Sequence, residues 1–194
     1  MGGPAKIDGK RQNGTDNFLH APMVIDGVTW PTCEHYFQAA KFMQPSANED
    51  TLRHIETIRK AWSGGSAWQL GQNRSYPLRS DWEQVKASVM YRAVVAKYAQ
   101  HPALAAELIE TTGPISAAPS TADWQRTNGL ILERVREELR PPEQRDEARL
   151  DRLVRILEPH TAPASLAQAK EAVLQMAAAE PASSEAASAV CSAV

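Results

Sequence analysis

The chain has 194 residues, a formal net charge of −2 and a pI near 6.2, so it offers no global basic field for holding nucleic acid non-specifically. It contains no run of about 18 apolar residues, and residues 1–15 lack the apolar core of a signal peptide, so a cytoplasmic protein without membrane contact is expected. Two cysteines, Cys33 and Cys191, are too few for a disulfide framework or a four-thiolate zinc site, and the five histidines show no metal-ligand spacing. Neither metal nor cofactor is expected.

The length gives room for one domain with a sizeable core and an extension behind it. Residues 1–15, rich in glycine and in basic and polar side chains, read as a mobile lead-in, with order beginning near Asn17-Phe18. Met23-Val24-Ile25 and Val28-Thr29-Trp30 read as two strands about Asp26-Gly27, a pair that accepts the positive φ angles of a type I′ hairpin turn. The hairpin delivers the chain into a helix capped by Thr32. There Cys33, Tyr36, Phe37, Ala40 and Met43 fall on one helical stripe, and Glu34, Gln38 and Lys41 share the neighbouring face. By spacing alone that polar trio is either a solvated face, the default for charged residues, or one wall of a ligand pocket. Cys33, on the apolar stripe, reads as a small buried hydrophobe.

A second helix is expected over residues 49–61, stopped by Ser63-Gly64-Gly65, and a short one over 66–70, stopped by Gly71. Ser80-Asp81-Trp82-Glu83 has the pattern of a capping box, after which Trp82, Val85, Val89, Ala93 and Ala96 keep a 3.6-residue period to about Tyr98. His101-Pro102 starts a further helix through Ile109, and Thr112-Gly113-Pro114 ends it. Leu132, Val135 and Leu139 mark another that stops at Pro141-Pro142. Beyond the double proline, Leu150, Leu153, Val154 and Leu157 form an amphipathic set. A second capping box at Ser165-Leu166-Ala167-Gln168 then precedes an alanine-rich helix. The expected organisation is therefore a mobile segment at 1–15, a functional domain at 16–140, a helical extension at 141–180 and an Ala/Ser-rich disordered tail at 181–194.

Asn17-Phe18, Ile25-Asp26-Gly27-Val28-Thr29-Trp30-Pro31-Thr32, Glu34-His35-Tyr36-Phe37-Gln38-Ala39 and Lys41-Phe42 are followed by Leu70-Gly71, Pro77-Leu78-Arg79, Asp81-Trp82-Glu83, Val85-Lys86, Met90 and Val135-Arg136. In this order they resemble the NADAR family, also called YbiA-like, over residues 16–140. The resemblance implies a compact, mostly helical α+β domain with a short N-terminal β-hairpin, here followed by the helical extension. It also implies an N-glycosidase that hydrolyses the N-glycosidic bond at a ribose C1. Two substrate classes go with the family: ribosylaminopyrimidine phosphates of riboflavin biosynthesis, and ADP-ribose linked to guanine in nucleic acid. The implied partners are thus a small nucleotide or ribosyl-phosphate substrate, or ADP-ribosylated nucleic acid.

Such chemistry needs a carboxylate near a developing oxocarbenium and donors for phosphate. Glu34, in a first helical turn where the helix dipole favours the ionised form, fits an electrostatic stabiliser or water-activating base, against the bland reading of a surface residue. Lys41 is a phosphate ligand, a Schiff-base nucleophile toward a ring-opened sugar, or a solvated lysine. Trp82 either stacks on base or ribose or packs in the core. His35 touches ligand or hydrogen-bonds within the core. Arg79 and Arg74 have forks suited to phosphate. Asn17 and Phe18 match the family's N-terminal substrate-binding element, with Asp16 where Ser is usual.

The family's segment leading into its last helix is altered. Around residues 116–128 the expected Glu is Ser or Ala, Trp-Gly is Trp124-Gln125, and several residues of a glycine-rich loop are missing. Asp123 as a catalytic group, with Trp124 and Asn128 as binding groups, can be aligned with the family in more than one way. Glycines in such a loop let backbone donors approach a sugar or phosphate, so their loss is expected to widen specificity, shift substrate class or abolish turnover. Three functions follow in order: an N-glycosidase, a non-catalytic module that binds ADP-ribose or a related nucleotide, and an inert scaffold whose C-terminal helices dock a partner.

Overall fold

The computed structural model describes residues 2–157. The second capping box and the tail at 181–194 lie outside the described residues. Among the described residues, two small antiparallel hairpins and seven α-helices make an α+β fold that is mostly helical. The second hairpin pairs Met23–Ile25 (β3) with Val28–Trp30 (β4), and Asp26 and Gly27 take φ of 52° and 73°, as an Asp-Gly type I′ turn requires. The first hairpin corrects the expectation of a mobile lead-in. Ala5–Ile7 (β1) pairs with Lys10–Gln12 (β2) about Asp8-Gly9, whose φ values of 53° and 74° match those of the other turn.

Alternate side chains of β1 explain why the lead-in is ordered, since Ala5 and Ile7 belong to the core. The hairpin is also clamped from outside. Lys6 exchanges two backbone hydrogen bonds with Ser116, and the Asp8 carboxylate accepts the N–H groups of Thr112 and Gly113. A 3₁₀ turn at Asn13–Thr15 then leads to Asp16, whose Oδ1 accepts the N–H groups of Gly3 and Phe18. That carboxylate supplies the side-chain turn for which Ser is usual in the resembled motif.

Helix α1 (Cys33–Ala40) starts at Thr32, whose hydroxyl accepts the N–H of His35. It packs against α2 (Glu49–Arg59), α3 (Gly64–Leu70) and α4 (Trp82–Gln100). Ser63 caps α3 rather than ending α2, which stops at Arg59. Gly64 is required there, because a Cβ would lie 2.9 Å from the Phe18 backbone. Helix α4 is the central pillar, and both of its faces are covered from Ala87 onward.

The capping box expected at Ser80 does not form, for α4 begins at Trp82 without a side-chain cap. Asp81 is instead held by Arg79 and Glu83 by Lys86, so both carboxylates are engaged elsewhere. Helix α5 (Pro102–Ile109) follows with proline in its first turn.

Helix α6 (Ala122–Leu139) begins ten residues before Leu132, so most of the segment expected as a loop at 116–128 is helix. Arg136, fully buried, ties α6 to the preceding segment by donating to Thr111 Oγ1 at 3.0 Å and Gly113 O at 2.8 Å. Helix α7 (Glu147–Leu157) lies along α6 with Leu153 and Leu157 buried. Arg145 donates to the carbonyls of Glu137, Glu138 and Arg140. It thereby satisfies acceptors that a helix C-terminus leaves open. The start of the extension is therefore part of the domain's packing and not an appendage to it.

Candidate active site

The polar trio on α1 is buried. Glu34 is 0 % exposed, Gln38 2 % and Lys41 7 %, which corrects the solvated face that spacing alone favours. Enclosure comes from three directions. The 16–18 strap crosses the start of α1, where Glu34 N donates to Asn17 O at 3.1 Å. Helix α3 and its exit cover the middle, and the segment before α4 covers the end, with Arg79 N donating to Lys41 O at 2.8 Å. Buried polar groups need partners, and the trio has them.

Gln38 Nε2 donates to Glu34 Oε1 at 2.6 Å, and Lys41 Nζ donates to Gly71 O at 3.3 Å. Gly71 O also accepts from Arg74 at 3.0 Å. Gly71 itself is a close-approach glycine, since a Cβ there would lie 2.0 Å from Gln38 Oε1. Its backbone is ordinary helical, so space and not strain demands the glycine. Burial, with the nearby Arg74 guanidinium adding repulsion, lowers the Lys41 amine from 10.5 to about 8, Glu34 offsetting part of the drop. A lysine so placed has a usable fraction of free amine near neutral pH.

His35 is placed by the core and not by a ligand. Its Nε2 lies 3.0 Å from Ala61 O and its Nδ1 2.8 Å from Thr32 Oγ1. A carbonyl only accepts, so Nε2 carries the proton and Nδ1 accepts from the hydroxyl. Desolvation holds the ring below its ordinary pKa, with the Ala61 carbonyl opposing the shift. Asn17 and Phe18 sit beside this end of the site, Asn17 buried and Phe18 against Gly64.

An aromatic chain runs from the trio toward α6. Lys41 Nζ stands 5.9 Å from the Phe37 ring, and Phe37 meets Trp82 edge-on at 5.0 Å and Trp124 at 5.1 Å. Trp82 is thus packed as core, whatever else it touches. Trp124 is also buried, and its Nε1 has no hydrogen-bond partner. Asn128 lies buried on the next turn of α6. Asp123, by contrast, is exposed. It lines a cleft of about 490 Å³ with Glu83, Lys86, Trp124, Arg126 and Leu157. Arg79 gives its fork to Asp81 through bonds of 2.6 and 2.9 Å, so its phosphate-binding geometry is already occupied.

Gly71 is not expected at the site from sequence, and Gln38 is expected only as a member of the polar trio, with no role of its own. The i, i+4 spacing from Glu34 was the available signal for Gln38, whereas nothing local links Gly71 to α1. Among the described residues no group of three or more His, Cys, Asp or Glu is placed to hold a metal ion, and no helix is long and apolar enough to cross a membrane.

Comparison with known proteins adds an independent line. The NADAR domain model matches residues 9–125. The chain is 46% identical over 95 residues to the N-glycosidase YbiA of Shigella boydii, covering 49% of this chain and 55% of that protein. It is 31% identical over 134 residues to an N-glycosidase of Nostoc punctiforme, covering 64% of this chain and 83% of that one. The NMR structure of the E. coli protein YbiA superposes with a TM-score of 0.55 at 37% identity, covering 66% of this chain and 77% of that one. The chain spans about half the length of the YbiA relatives it matches. The family match stops in the first turn of α6, so the rest of that helix and α7 lie beyond it.

Proposed function

The chain belongs to the NADAR domain family, and from that premise we propose that it is an N-glycosidase acting at the C1 of a ribose. The observation that carries the reading is Glu34. A carboxylate with no solvent exposure, in the first turn of a capped helix and held by Gln38, is already desolvated and oriented. Preorganised charge of this kind acts most strongly on a cation developing in a water-poor site. In the reaction the C1–N bond breaks with its electron pair leaving on the base nitrogen. Water oxygen then bonds to C1, and the proton lost by that water balances the one gained by the base. Glu34 stabilises the oxocarbenium and takes the water proton.

Lys41 has two roles open to it, which make different predictions. As a cation it holds a phosphate of the substrate. As a free amine it adds to the ring-opened sugar aldehyde and loses water to give a Schiff base that is later hydrolysed. Its depressed pKa supports the amine, and the Arg74 guanidinium sharing Gly71 O supports an anion nearby. The substrate joins a ribose, a nitrogen base and phosphate, as both ribosylaminopyrimidine phosphates and guanine-linked ADP-ribose do. Assaying the purified protein on both, with Glu34→Gln alongside, tests the reading. Turnover of one substrate that the variant loses is expected, and equal turnover by the variant would remove Glu34 from the mechanism.

One observation favours the non-catalytic alternative. The α6 wall presents an exposed Asp123 and a Trp124 packed into the aromatic chain, where a glycine-rich loop would otherwise face the sugar. Tight calorimetric binding of ADP-ribose with no turnover of either glycoside would make the protein a binding module.

A further inference from the structure

Trp62 is 90 % exposed, on the connection between α2 and α3. Tryptophan is usually among the most covered residues, and at this exposure it contributes nothing to the core. It stands in an open groove of about 790 Å³ whose other walls are Thr57, Lys60, Ala61, Ser66, Gln69, Leu70 and Asn73. This groove has a mixed chemistry. The indole is flanked by two side-chain amides, two hydroxyls and one ammonium, beside the apolar Ala61 and Leu70. Among the described residues the Gln69 amide has no hydrogen bond of its own, and Asn73 uses only its Oδ1, accepting from Ser75 N. Amides that offer both a donor and an acceptor match the edge of a nucleobase, and a free indole face matches its plane. Lys60 pairs with Glu56 at 3.1 Å, but its side chain is 70% exposed and a phosphate competes easily for such a surface cation.

The groove adjoins the candidate active site through its backbone. Ala61 lines the groove while its carbonyl holds His35, and Leu70 lines it immediately before Gly71, whose carbonyl holds Lys41. We propose that this groove binds an unpaired nucleotide of single-stranded nucleic acid, its base stacked on Trp62 and edged by Gln69 and Asn73, its phosphate near Lys60. The inference rests on the nucleic-acid branch of the proposed function and places the strand that flanks the modified nucleotide. A protein partner fits less well, because a stable interface needs about 800 Å² per partner, and one indole beside Ala61 and Leu70 in a single open groove falls far short of that.

The test is fluorescence anisotropy of a labelled twelve-nucleotide oligothymidylate against the full chain at low salt, with no turnover involved. Single strand is expected to bind at least about tenfold tighter than a duplex of the same length. Trp62→Ala should weaken binding by roughly 5- to 100-fold, the range for loss of one stacked base, and Trp62→Phe should recover most of it. Lys60→Ala should lower the salt slope by about one charge. Glu34→Gln should bind as the wild type does, so an inactive enzyme does not disguise an intact groove, nor the reverse. Equal binding by Trp62→Ala, with an unchanged melting temperature, overturns the proposal. So does absence of oligonucleotide binding by the wild type, and self-association on sedimentation that Trp62→Ala abolishes would then assign the patch to protein contact.

Discussion

Helix α1 buries Glu34, Gln38 and Lys41 and gives each a hydrogen-bond partner, whereas the first turn of α6 leaves Asp123 in solvent and packs Trp124 with its indole N–H unpaired. The two elements meet across Phe37, so the same aromatic ring touches the buried polar wall and another built as packing. The contrast follows from what covers each. Helix α1 is roofed by the strap at 16–18, by α3 and by the segment before α4, while the start of α6 opens toward a cleft shared with α7. Desolvation, more than residue type, separates a carboxylate suited to catalysis from a surface one.

The largest test of that contrast is Glu34→Gln, which keeps shape and one acceptor oxygen for Gln38 but removes charge. Turnover of the N-glycoside, followed by release of the base, is expected to fall by about 10²–10³, the usual cost of one preorganised electrostatic group. Product affinity by calorimetry should hardly change.

Lys41→Arg comes next and separates two chemistries on the same wall. If the free amine attacks, borohydride trapping of a sugar adduct disappears in the variant and wild-type kcat rises with pH through about 8. If the cation binds phosphate, KM rises while kcat is retained, and wild-type affinity falls as pH rises through about 8. Lys41→Met reads the cost of that burial. The folded pKa lies below the unfolded one, so between about 8 and 10.5 the unfolded chain binds more protons and stability rises with pH. The methionine variant should therefore be more stable than wild type in urea at pH 7, with the advantage shrinking as pH passes through that window.

Gly71→Ala asks whether the α1 wall depends on its roof. The added methyl overlaps Gln38 Oε1, so Gln38 must turn away from Glu34. About a tenfold loss of kcat is expected, with a melting temperature lowered by only a few degrees. An unchanged kcat would show that Gln38 does not position the carboxylate. Asp123→Asn should have the smallest effect, under about threefold in kcat/KM. A loss as large as that of Glu34→Gln would erase the distinction between the walls and return α6 to the catalytic machinery.

Much of the fold was legible in local chemistry. Asp26-Gly27 announced its hairpin, Thr32 its helix cap and Pro102 the start of α5. Asp8-Gly9 carried the same turn signal, yet the polar composition around it suggested a mobile lead-in. What orders that hairpin is the burial of Ala5 and Ile7 and its clamp onto residues 112–116, contacts more than a hundred residues away in sequence. The Ser80 capping box was legible and did not form, because Arg79 and Lys86 engage the neighbouring carboxylates. The long α6 was hidden for a similar reason, since its first turn carries no side-chain cap.

By itself the sequence determined the family, through matched segments in fixed order at residues 25–42 and 70–86, and with it the α+β class and the choice of Glu34 and Lys41 as residues to watch. Spacing located those side chains on one helical face. Only the tertiary structure decided that this face is interior, that Arg79 is committed to Asp81 and that Asp123 is not enclosed. The physical reason is that helical period assigns a direction around one axis, while burial depends on distant segments folding over it. A polar stripe covered by a strap, a glycine and a loop is a potential active site, and the same stripe left bare is a solvated surface.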